Sequence, residues 1–174
     1  MTHTTIHRIS TITVLFTLCA LAGTASFAHA KPAVGVSRPF SGACQTRFEV
    51  LSQPNTFPLQ LHIDTECNFA HLGLTVGSTS QTVVPPGPPV GQKLPILISN
   101  TSTYRSANGD LLYALFVGGG TLDLTTGDAT FAGKETFNGG TGRFASASGS
   151  DSLEGSASTF TNTGEFTVRG TLTY

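Results

Sequence analysis

The chain has 174 residues, a formal net charge of −1, only 11% charged residues and no Trp. So sparse and balanced a charge leaves no basic stripe for nucleic acid or anionic lipid. Its histidines and cysteines fall in no spacing that a tetrahedral metal site would use, so no metal, no cofactor and no nucleic-acid partner are expected.

Residues 1–30 read as a cleavable signal peptide: Arg8 supplies a positive charge, Ile9 to Gly23 an apolar core, and Ala28-His29-Ala30 a small-x-small cleavage site. The core is shorter and richer in Thr than a membrane span of about 20 apolar residues. Cys19 follows Phe16-Thr17-Leu18, which lacks the small residues of a lipoprotein site. Cleavage after Ala30 would make the protein secreted or periplasmic, with no stable membrane insertion, and would leave Cys44 and Cys67. An exported pair of cysteines reads as a disulfide, and closing such a loop stabilises a fold by about 3 kcal/mol. Residues 31–43 are expected to form an N-terminal extension and residues 44–174 the folded domain.

Within that domain no stretch places apolar residues at helical spacing; the recurring signal has period two. Strands are predicted near 45–52, 57–66, 71–83, 96–105, 110–118, 128–137, 145–156 and 163–173. Gln53-Pro54-Asn55 marks the first turn, which sets Cys44 at the start of one strand beside Cys67 at the end of the next. In the second strand Leu59, Leu61 and Ile63 alternate with Gln60, His62 and Asp64. The Pro-rich run Val83 to Pro95 reads as a stiff crossover, because Pro removes ladder donors. Asn108-Gly109 predicts a type I′ hairpin, with Arg105 and Asp110 paired across it.

The strand at 111–117 is apolar on both faces: Leu111, Tyr113, Leu115 and Val117 oppose Leu112, Ala114 and Phe116. Such a strand is expected to be buried on both sides. In a single-layer wall one face, either Leu111, Tyr113, Leu115 and Val117 or Leu112 and Phe116, would then form an interface in a homo-oligomer, a dimer or trimer. Further on, Glu135 shares a strand face with Phe131, Gly133 and Phe137. A carboxyl among apolar residues has a raised pKa and is a candidate catalytic acid or base. The run Asn138 to Gly142 lacks the Lys-Ser/Thr pair and following helix of a phosphate-binding loop. It reads as a tight connection into a strand of Ala145, Ala147 and Gly149, small enough for the taper of a barrel interior. The closing segment sets Phe166, Val168, Gly170, Leu172 and Tyr174 on one face.

The segment Gly139 to Phe144 (GGTGRF), followed by small residues, resembles the Gly-Thr-Gly-x-Phe segment of the allene oxide cyclase and dirigent barrels. Ala70 to Thr75 (AHLGLT), Ser106 to Ala114 (SANGDLLYA) and Phe166 to Tyr174 (FTVRGTLTY) resemble bacterial secreted members of that family. The resemblance spans residues 38–174 and implies a calycin-like barrel. For the bacterial members it implies no particular activity; the plant relatives are trimers that guide a reactive small molecule in an apolar cavity.

The expected fold class is therefore all-β, a single eight-stranded antiparallel β-barrel. Phe131, Phe137, Phe144 and Phe166 are the candidate lining for a small hydrophobic ligand. The leading expectation is a non-catalytic ligand-binding or extracellular structural module. One alternative is an isomerase or cyclase, of allene oxide cyclase type, acting on a hydrophobic molecule inside the barrel. Another is a small outer-membrane β-barrel, which three Tyr and no Trp serve poorly, because such barrels carry two aromatic girdles. No Ser-His-Asp or Cys-His constellation is legible.

Overall fold

The computed structural model describes residues 35–53 and 56–174. The expected signal peptide and Pro54-Asn55 of the first turn lie outside the described residues. Eight strands follow one another: β1 (Ser37–Val50), β2 (Leu59–Phe69), β3 (Gly73–Val84), β4 (Lys93–Arg105), β5 (Leu111–Asp123), β6 (Asp128–Gly140), β7 (Ser148–Ser158) and β8 (Thr163–Thr173). Each pairs antiparallel with the next, and β8 pairs with β1, which closes the barrel. The period-two alternation sends one row of each strand inward. Phe40, Cys67, Phe69, Ile96, Ile98, Leu112, Phe116, Leu153 and Val168 are buried this way. The outward rows are largely Ser, Thr and charged residues, for example Gln60, His62, Asp64 and Glu66 on β2 and Glu154 on β7.

The two ends of the barrel differ. The base carries both termini of the barrel and the loops after β2, β4 and β6; the mouth carries the loops after β1, β3, β5 and β7. The base is filled by aromatic rings. Phe40 packs tilted on Phe69 at 4.8 Å and edge-on to Phe137 at 5.0 Å, while Phe69 meets Tyr104 edge-on at 5.4 Å. Edge-to-face pairs of this spacing contribute beyond their buried area. Above this plug the Phe116 ring lies across Gly118 and Gly133, which face each other on β5 and β6. A Cβ at Gly133 would come within 2.6 Å of the Phe116 ring and 2.5 Å of the Val117 carbonyl. Cys44 and Cys67 sit opposite one another on β1 and β2 and form a disulfide, with both residues buried.

Several sequence expectations are corrected by the strands themselves. Residues 37–43 belong to β1, not to an extension, and Phe40 is part of the plug; Pro39 and Gly42 hide this stretch from strand propensity. The Pro-rich segment is a hairpin loop between neighbouring strands, not a crossover. At Asn108-Gly109 the hairpin forms, but only Gly109 has a positive φ, of 89°. Its N–H donates to the Ser106 carbonyl at 2.9 Å, and the Ser106 N–H donates to the Asp110 carbonyl at 3.0 Å. This is the three-residue loop with a left-handed glycine, rather than type I′. Asp110 pairs with Arg143 at 3.7 Å, not with Arg105. Residues 142–144 form a 3-10 turn and β7 begins at Ser148, so Ala145 and Ala147 precede the strand.

Two outcomes are expected. Gly133→Ala lowers stability by about 1–3 kcal/mol, the usual cost of overpacking. Cys44→Ser combined with Cys67→Ser lowers it by about 3 kcal/mol through loop entropy. Denaturant midpoints read both; unchanged midpoints would contradict the packing and the bond.

Candidate functional site

Toward the mouth the interior opens, because the rings there are interspersed with aliphatic and small side chains and do not pack on one another as they do at the base. The result is a cavity of about 140 Å³ whose walls include Phe48, Leu61, Ile96, Ile98, Phe131 and Phe166. One side carries a polar seam on β3 and β4. Thr79 and Ser102 share a hydrogen bond of 2.8 Å, the Ser102 hydroxyl reaches Asn100 Oδ1 at 3.3 Å, and the Asn100 amide donates to Gln81 at 3.3 Å. The seam satisfies itself, so its polarity costs little.

The floor is different. Tyr104, Glu135, Phe116 and Leu153 lie there, and the Tyr104 hydroxyl donates to Glu135 Oε1 at 2.9 Å. Glu135 is 1% exposed, and its Oε2 has no hydrogen-bond partner. Asp151 is its direct partner across β6 and β7, is 4% exposed, and has neither carboxyl oxygen hydrogen-bonded. Gly170, opposite Asp151 on β8, makes the room: a Cβ there would lie 2.6 Å from the Asp151 Cβ. Among the described residues no Lys, Arg or His lines the cavity.

Two carboxyls without a cation resist ionisation. Burial, reinforced by the charge of Asp151 and opposed by the Tyr104 hydrogen bond, raises Glu135 from 4.5 to about 8. Burial raises Asp151 from 3.8 to about 7. The Tyr104 phenol is held well above its ordinary range, first by burial and then by the charge of Glu135. At neutral pH the pair therefore retains a proton, and the floor can both accept and donate a hydrogen bond.

The structure sorts the residues singled out by sequence. Glu135 lies at the floor, and Phe131 and Phe166 line the cavity. Phe137 sits below it in the aromatic plug. Phe144 is not lining: it lies on the 3-10 turn and packs on Tyr174 at 5.1 Å. Leu112 and Phe116 point inward and are fully enclosed, so neither can form an interface. Leu111, Tyr113, Leu115 and Val117 face outward, and the last three are exposed, flanked by Thr103, Thr101 and Ser99 of β4. The strand is thus not buried on both faces within the chain. Tyr104 and Asp151 were missed. Alternation from Asn100 through Ser102 places Tyr104 inward, whereas Asp151 is hidden in a Ser/Gly run with no apolar rhythm.

No family model matches the sequence, and no curated protein matches it. Among solved structures, that of Ail, the attachment invasion locus protein of Yersinia pestis, matches at 15% identity over 81% of this chain and 98% of Ail, with a TM-score of 0.19. Ail in complex with the heparin analogue sucrose octasulfate matches at 16% identity over the same shares, also with a TM-score of 0.19. Ail is an outer-membrane β-barrel. This finding corrects the sequence expectations of a secreted or periplasmic location and of no stable membrane insertion, which do not stand as conclusions. A likeness of that TM-score carries no argument about ligand or mechanism and assigns no location in their place.

The carboxyl pair makes a signed prediction. The folded chain holds these protons to about pH 7–8, whereas the unfolded carboxyls release them near their ordinary 3.8 and 4.5. Between those limits the native state binds more protons, so stability falls as pH rises from about 4 to 8. Glu135→Gln, which keeps an acceptor for Tyr104, flattens that slope and raises the Tm at pH 8 relative to the parent. Thermal unfolding of both proteins at pH 5 and pH 8 checks it; parallel pH profiles would contradict the buried pair.

Proposed function

We propose that the barrel is a container for one small, mainly apolar molecule, held in the cavity with a hydrogen-bonding head on Glu135 at the floor. The observation that carries this reading is the pairing of apolar walls with the buried Glu135 Oε2, which finds no donor within the described residues. Buried acceptors are nearly always satisfied, and a hydroxyl or amine head would supply the donor. Size narrows the class. A cavity of about 150 Å³ accommodates benzene, so 140 Å³ suits a single ring or a short branched chain, with anything longer reaching toward the mouth. Carboxylates are disfavoured, since the cavity offers them no cation and a like charge below. The motif resemblance to the allene oxide cyclase and dirigent barrels supports an apolar occupant in the same place.

A second reading, isomerisation or cyclisation of such a molecule, is favoured by one observation. Glu135, raised by burial to about 8, exchanges its proton near neutrality beside a second carboxyl, which suits a general acid or base. Proton exchange at carbon of a bound molecule, followed by NMR in deuterated water, would be lost in Glu135→Gln.

Titration calorimetry with toluene, phenol and phenylacetate tests the container. Toluene and phenol are expected to bind and phenylacetate to be rejected. Ala157→Phe, which fills the upper cavity, is expected to weaken both at least about 10-fold, equivalent to about 1.4 kcal/mol, with the circular dichroism unchanged. Failure of both neutral compounds to saturate the parent protein would overturn the proposal.

A further inference from the structure

The mouth loops share a property that the base loops lack. Residues 51–58, 85–92, 124–127 and 159–162 contain no Asp, Glu, Lys or Arg. Each loop instead presents a large apolar side chain to solvent: Leu51 and Phe57, Val90, Leu124, and Phe160 are between 42% and 78% exposed. At the base, Leu72 and Phe144 are buried, and the loops carry Asp110 and Arg143. Every mouth loop thus presents an apolar side chain at the opening of the cavity, whereas at the base the exposed large apolar side chains among the described residues are only Val36 before β1 and Leu74 at the start of β3; Phe57 belongs to both this ring and the cavity wall. One step back from the ring, exposed Glu49, Lys93 and Asp128 form a charged belt at the strand ends.

Exposed apolar groups scattered singly need no explanation, but a contiguous set rimmed by charge marks an interaction surface. We propose that the mouth docks on the surface of a lipid bilayer, with Leu51, Phe57, Val90, Leu124 and Phe160 in the interfacial layer and the charged belt in water. The inference rests on the container reading and adds to it where the occupant comes from. Whatever covers the ring also faces the opening of this cavity, so it must be able to give or take an apolar molecule. A bilayer does both. It also needs no matching charges, and the loops offer none. This is shallow interfacial docking driven by apolar area.

The absence of Trp allows clean reporters in the full chain. Phe160→Trp reports the mouth, Ala107→Trp the base and Thr101→Trp the outward wall of β4. With phosphatidylcholine vesicles brominated at shallow or deep acyl positions, only the Phe160→Trp reporter should shift to the blue and be quenched, more by shallow bromines. The signal should be unchanged between 0.1 and 1 M salt, because charge plays no part. Val90→Ser combined with Phe160→Ser should lower vesicle partition at least about 10-fold while toluene still binds, since neither residue lines the cavity.

An unquenched Phe160→Trp reporter overturns the proposal, as does equal quenching at the base. Quenching of Thr101→Trp by deep bromines overturns it in favour of a strand-spanning barrel. A parent that ignores vesicles and forms dimers that the double variant dissolves shows a mouth-to-mouth contact instead. Toluene titration reads the cavity alone, so a failed container and a failed docking surface give different results.

Discussion

Closure of the sheet is the constraint from which the other features follow. With β8 hydrogen-bonded to β1, every strand is paired on both sides and none is left as an edge strand. Strand direction is then fixed, and so is the side of the wall on which each residue falls. A one-residue slip in any ladder would turn its whole apolar row outward. The disulfide between Cys44 and Cys67 fastens the β1–β2 register, next to the seam where the chain's first and last strands meet. The inward row has to fill a tube of fixed bore. It does so with packed rings at the base and with separated rings, aliphatic and small residues above, and a hollow is what the second choice leaves.

The carboxyl pair is an expensive feature in such a lining. Burying a charge without a partner costs several kcal/mol, so the pair retains protons instead. Hydrophobic residues of similar volume would pack the same space at less cost, and Gly170 is placed to admit Asp151 rather than to exclude it. Polar groups that a fold accommodates at a cost, at the bottom of an otherwise apolar hollow, are how binding sites usually obtain orientation and selectivity. Tyr104 holds Glu135 in one place, which leaves the second oxygen directed rather than free to turn.

Much of this was legible in the sequence, for reasons that can be located. Period-two alternation in Leu59–Ile63 and Phe166–Leu172 set the strands and their faces, and the turn at Gln53 aligned the two cysteines. Glu135 announced itself because Phe131 and Phe137 flank it at even spacing. Asp151 did not, because its neighbours Ser150, Ser152 and Gly149 carry no apolar rhythm, and its inward aspect comes from pairing with β6 and β8. β1 was cut short by Pro39 and Gly42, which lower strand propensity but are tolerated here. The doubly apolar look of Leu111–Val117 suggested burial on both faces; curvature of a single-layer wall leaves its outer side chains partly in solvent, cushioned by threonines of β4. The ring at the mouth was invisible for a different reason. Its members come from four separate loops, and only the topology shows that they share an end.

The aromatic plug at the base settles what kind of vessel this is. Among the described residues Phe40, Phe69, Phe137 and Tyr104 are buried ring against ring and close the base. A guest then leaves by the mouth through which it came. Turnover of the contents is then governed by how often the rim is free and how tightly the bottom grips, as in a cup rather than a pipe.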